Sequence, residues 1–139
     1  MRCRSLGVAA LAAAVALSLS LHADEKKPDK PAANYVHVVV FHAKKDAPKD
    51  AVSAAIADCH ELLEGIPSVR GLKVGRPAEM GTPNVPKQNY DFALVVLVDD
   101  AAGLKAYLDH PQHKKFVEKH GPNFDLEKLQ VFDFTNEKK

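Results

Sequence analysis

Apolar residues recur along this chain in two rhythms, one of two residues and one of three to four. "YVHVVVFH" (residues 35–42) is β-branched and aromatic and reads as a strand. Its alternate positions put Tyr35, His37, Val39 and Phe41 on one side and Val36, Val38, Val40 and His42 on the other. Both sides are mainly apolar, so both are expected to be covered. Val52, Ile56, Cys59 and Leu63 then follow the helical period, in a segment opened by Asp46 or Pro48 and closed by Gly65 and Pro67. A second strand is expected over residues 69–76, followed by an exposed loop, "AEMGTPNVPKQ", marked by its prolines and glycine. Residues 92–98 are continuously apolar and form a third strand. Asp99 or Asp100 can cap the next helix, whose apolar face is Leu104, Tyr107 and Leu108.

That helix must stop before Pro111, because a residue preceding proline is pushed out of the helical region. Pro111 is itself well suited to the first turn of a new helix. There His113, Phe116, Val117 and His120 fall on one face, and Gly121 and Pro122 end the run. "EKLQVFDF" is the fourth strand, with Leu129, Val131 and Asp133 on one face and Gln130, Phe132 and Phe134 on the other. The order β-α-β-β-α-β predicts an α+β, ferredoxin-like fold, a four-stranded antiparallel sheet with helices on one face. Two helices cover one side of a sheet whose first and third strands are apolar on both. A second copy is the simplest cover for the other side, which predicts a homodimer through the sheet faces.

The N-terminus changes the picture of where this domain works. "MRCRSLGVAALAAAVALSLSLHA" has two arginines, an apolar run and small residues, the pattern of a secretory signal with cleavage after Ala23. Its apolar run is short for a membrane span of roughly 20 residues. The expected organisation is a signal peptide at residues 1–23, a charged, proline-rich linker at 24–33, one domain at 34–135 and a tail at 136–139. The mature protein is then secreted or periplasmic, with no stable membrane association after cleavage. Without the signal the chain carries 17 basic and 18 acidic residues, a balance of −1, and no field that would attract nucleic acid. Cys59 is then its single cysteine, so no internal disulfide is expected, and its place on an apolar helix face predicts a buried, inert thiol.

Candidate chemistry gathers in "YLDHPQHKKF" (residues 107–116). His113 and His120 share a helix face but stand seven residues, about 10 Å, apart, too far for one metal ion. His110 and His113 are closer, yet no acidic residue or third histidine is spaced to complete a site, and no metal or cofactor is expected. The chain has no glycine-rich phosphate loop, no Gly-x-Ser-x-Gly elbow and no basic–aromatic stripe for nucleic acid.

"HVVVFHAKKDAP", "IPSVRGLKVGR", "YDFALVVLVDDAAGLKAYLDHPQHKKFVE" and the terminal "VFDF" together resemble the stress-responsive A/B-barrel (Dabb) family, over nearly all of residues 35–134. The "AYLDHPQH" block is the most specific element. The resemblance implies a dimeric α+β barrel and, for many members, no assigned reaction. In one plant member, a polyketide cyclase, a histidine and a tyrosine six residues before it act together, at positions matching His113 and Tyr107. A histidine opening its first strand matches His37. A further histidine of its third strand falls at Phe92, and its aromatic tail pocket falls on an alanine-rich stretch, so the resemblance does not imply the same substrate.

Three readings of function follow. In the first, the protein is a non-catalytic stress or small-ligand binding homodimer. In the second, it is a cyclase- or lyase-like enzyme acting on a carbonyl compound, with His113 as base and the Tyr107 hydroxyl holding the developing oxyanion. The third is a cofactor-independent monooxygenase. His113, Tyr107 and His37 are the catalytic candidates, and His110, Phe116 and Val39 the candidate ligand contacts. Alternatively "HPQH" is a structural corner whose imidazoles satisfy backbone carbonyls at the break between two helices.

Overall fold

Four strands hydrogen-bond into one antiparallel sheet, β1 (Tyr35–Phe41), β2 (Gly71–Gly75), β3 (Phe92–Val98) and β4 (Gln130–Thr135), in the order β2-β3-β1-β4. The computed structural model describes residues 33–87 and 89–137. The expected signal peptide and all but the last residue of the linker lie outside the described residues, as does the end of the tail. Helices α1 (Ala51–Asp58), α2 (Ala101–Asp109) and α3 (Pro111–His120) pack on one face, the ferredoxin-like arrangement expected from the element order.

Register assigns each strand position to a face. His37, Val39 and Phe41 stand opposite Val96, Leu94 and Phe92, and these β3 residues are all buried beneath the helices. On the other flank of β1, His37 pairs with Asp133 and Val39 with Val131. The helix layer stops short of that flank, and every residue of β4 is exposed. The opposite face of the sheet carries Val36, Val38, Val40, Val95, Leu97, Phe132 and Phe134, with no helix over it among the described residues; Phe132 and Phe134 are 53% and 52% exposed. Gly71 belongs to this face, where a Cβ would press to 3.3 Å from Leu97 Cδ1.

Two elements, the first helix and β2, differ from their sequence expectation. α1 begins at Ala51, because the segment before it is used up by tight turns, Ala47 N–H to the Lys44 carbonyl and Ala51 N–H to the Pro48 carbonyl. It runs on directly into a π-helical turn, Cys59–Leu63, in which Glu64 N–H reaches the Cys59 carbonyl. One extra residue in that turn lets Asp58, Cys59, Leu62 and Leu63 all face inward. β2 is shorter than residues 69–76. Val69 N–H is spent on the Ile66 carbonyl, and Arg76 leaves the strand to reach the Ser53 hydroxyl at 2.9 Å. The break between α2 and α3 falls at His110, in extended conformation, with Pro111 opening α3 and Asp100 capping α2 through Gly103 N–H at 2.8 Å.

Candidate functional site

The gap between α3 and the uncovered flank of the sheet is a cavity of about 220 Å³. Its walls are mostly apolar, with Val39, Leu94, Phe116 and Val131 among them. Leu108, Val117 and Leu126 stand at its rim and are substantially exposed. Three polar side chains meet at one end. His37 arrives from β1, Tyr107 from the last turn of α2 and His113 from the first turn of α3. The Tyr107 ring centroid is 4.7 Å from that of His113 and 6.1 Å from that of His37.

Two of these groups, His113 and His37, are oriented by hydrogen bonds. The neutral His113 ring donates from Nδ1 to the Leu108 carbonyl at 3.0 Å, one of the carbonyls the proline break leaves without a helical partner. That bond leaves Nε2 with a free lone pair. Burial lowers the His113 pKa below its ordinary value, the nearby His37 pushes in the same direction, and the Leu108 carbonyl opposes them in part. The ring is therefore neutral at pH 7 and able to accept a proton. His37 is held through Nδ1 by the Asp133 carboxylate at 2.6 Å, across the β1–β4 ladder. Tyr107 is 1% exposed, and burial raises its hydroxyl pKa, so it stays a neutral donor.

Of the residues singled out in the sequence, His37, Val39, Tyr107, His113 and Phe116 line this cavity together. His110 does not. Its Nδ1 accepts from Gln112 N–H at 3.2 Å, which makes it the N-cap of α3, a structural use that its place before a proline favours. Phe92 is fully buried in an aromatic cluster, stacked on Phe41 at 4.3 Å and edge-on to Phe124 at 5.3 Å. Phe41 and Phe124 also line the cavity, Phe41 four residues along β1 from His37.

One buried pair was not foreseen. His120, 3% exposed, donates from Nε2 to Asp58 Oδ2 at 2.7 Å, and Lys119 meets the same oxygen at 2.6 Å. The hydrogen bonds from Lys119 and His120 hold the Asp58 carboxyl below the usual carboxylate range. A histidine on the buried face of α3 was the signal in the sequence, since such a ring needs a partner. The π turn that carries Asp58 inward has no such signal. Beside it Cys59 is fully buried, and burial pushes its thiol up to about 12, as expected of an inert cysteine. Among the described residues there is no cluster of three or more metal-ligating side chains, and no helix long and apolar enough to cross a membrane.

Residues 36–136 match the family described as the Stress responsive A/B Barrel Domain, Dabb. A Dabb family protein with a ferredoxin-like fold from Mesorhizobium loti is 26% identical, with a TM-score of 0.60 over 75% of this chain and 97% of that one. A dimeric ferredoxin-like protein of unknown function from Thermobifida fusca is 24% identical, with a TM-score of 0.62 over 74% of this chain and 91% of that one. Hydroxynitrile lyase from Passiflora edulis is 20% identical, with a TM-score of 0.60 over 77% of this chain and 97% of that one. The last two likenesses are likenesses of fold. No curated protein matches the sequence.

Proposed function

Because this chain belongs to the stress-responsive A/B-barrel family, we propose that it is an exported homodimer that binds a small apolar carbonyl compound in one cavity per protomer. The observation that carries this reading is the meeting of His37, Tyr107 and His113 at one end of an otherwise apolar pocket. An apolar wall with a few convergent polar groups is the general form of a small-molecule site. The Tyr107 hydroxyl donates to the ligand's carbonyl oxygen, and the apolar body lies against Val39, Leu94 and Phe116. Dimerisation is supported by the bare apolar sheet face and by the dimeric neighbour from Thermobifida fusca. Export is supported by the signal pattern of residues 1–23.

A second reading adds proton transfer at the same place. A neutral His113 with Nε2 free is placed as a base beside the carbonyl that Tyr107 polarises, and a hydroxynitrile lyase shares the fold. Both readings are tested with acetophenone as probe. Ligand-observed NMR is expected to show binding to the wild-type protein and its loss in Tyr107→Phe. Proton exchange at the probe's methyl group in deuterated water, abolished in His113→Asn, is the signature of the second reading. Unchanged binding in Tyr107→Phe would overturn the placement of the carbonyl.

A further inference from the structure

The Asp58–His120 pair plays no part in the reading above, yet His120 lines the same cavity. It stands seven residues beyond His113 on the same face of α3, so the two imidazoles are about 10 Å apart along the helix axis. The other wall agrees. His37 is beside Tyr107 and His113, while Phe41, another lining residue, stands four residues further along β1. The cavity thus has one polar cluster near its first end and a single buried imidazole toward its other.

The chemistry of that imidazole is fixed by its partner. The carboxylate of Asp58 accepts only, and Lys119 shares the same oxygen, so the hydrogen of the 2.7 Å contact sits on His120 Nε2. A ring carrying that one hydrogen has one group left for a ligand, the lone pair of Nδ1, and that lone pair accepts. We propose that His120, oriented by Asp58, is a specificity-determining residue that selects ligands bearing a hydroxyl at the end opposite their carbonyl. The ligand class is a slender molecule with an apolar body between a carbonyl, held at Tyr107, and a donating hydroxyl, held at His120. This rests on the reading of the cavity as a carbonyl-binding site.

Two probes that differ only at the far end test it, para-(hydroxymethyl)acetophenone and para-ethylacetophenone. The wild-type protein is expected to bind the alcohol roughly 5-fold more tightly, the worth of one net hydrogen bond. His120→Phe is expected to erase that preference while still binding the ethyl compound. Nitrogen NMR of the wild-type protein gives a measurement that does not depend on how the variant folds. The His120 Nδ1 resonance is expected to move with the alcohol and stay with the ethyl compound. Equal affinity for the two probes in the wild type, a preference that survives His120→Phe, or an unmoved Nδ1 resonance overturns the proposal and leaves the carbonyl site standing. Failure of both probes to bind overturns the carbonyl site and this proposal with it.

Discussion

Replacing His113 by asparagine and by alanine removes different things. An asparagine amide can still donate to the Leu108 carbonyl from nearly the position of Nδ1, and it has nothing to put in the place of Nε2. His113→Asn is expected to stay within about 0.5 kcal/mol of the wild type, while His113→Ala costs about 1 kcal/mol for the lost bond, by urea unfolding. Proton exchange at the probe is lost in both. The Asp58 carboxylate is a second residue whose role is measurable. Its ordinary value of 3.8 is lowered in the folded state, so the unfolded chain takes up the proton first as pH falls. The stability it contributes is intact above about pH 4 and declines as pH drops through that value and below. Asp58→Asn, which keeps size but loses charge, is expected to cost about 2 kcal/mol at pH 7. Its stability should then change less with pH across the same acid window, as a series of unfolding curves would show. Such roles were unevenly visible beforehand. Strand alternation alone put His37 and Val39 on one face, and helical spacing put His113, Phe116 and His120 on another. Asp58 falls outside the apolar period of Val52, Ile56, Cys59 and Leu63, and no sequence pattern reports the extra residue of a π turn.

At the level of elements, the proline break decides which histidine does what. His110 sits at the hinge with its backbone extended, so its ring turns to the free N–H of Gln112 rather than into the cavity. His110→Ala is expected to cost about 1 kcal/mol, as the loss of an N-cap does, with probe affinity unchanged. A loss of affinity there would return His110 to the ligand contacts. Pro111 made this junction legible, since both its effect on the preceding residue and its preference for a first helical turn are local. The start of α1 was less legible. Asp46 and Pro48 are good openers in isolation, but the hydrogen bonds of two successive turns occupy that stretch and delay the helix to Ala51.

For the whole molecule, the decisive fact is a sheet with helices on one side only among the described residues. The apolar second face was predicted from β1 and β3, and β4 adds Phe132 and Phe134 to it. Burying such side chains is worth roughly 1.5–3 kcal/mol each. A glutamate at Val38, in the middle of that face and beside Phe132 in the register, would place a charge there without disturbing the helix side. Val38→Glu is expected to convert a dimer into a monomer at micromolar concentration by light scattering, with its fold retained by circular dichroism. A monomeric wild-type protein under the same conditions would remove the homodimer from the proposed function.

β4 divides its side chains between two duties. Val131 lines the cavity and Asp133 steadies His37, while Phe132 and Phe134 point to the face offered to a second copy. On the proposed function one strand would meet both events, and any coupling between them is reciprocal. If filling the cavity holds β4 in place, the same filling tightens subunit association, and pairing tightens the grip on the guest. Dilution would then loosen both together. On the proposed function such a protein would carry its cargo where its own concentration is high and surrender it where it is low.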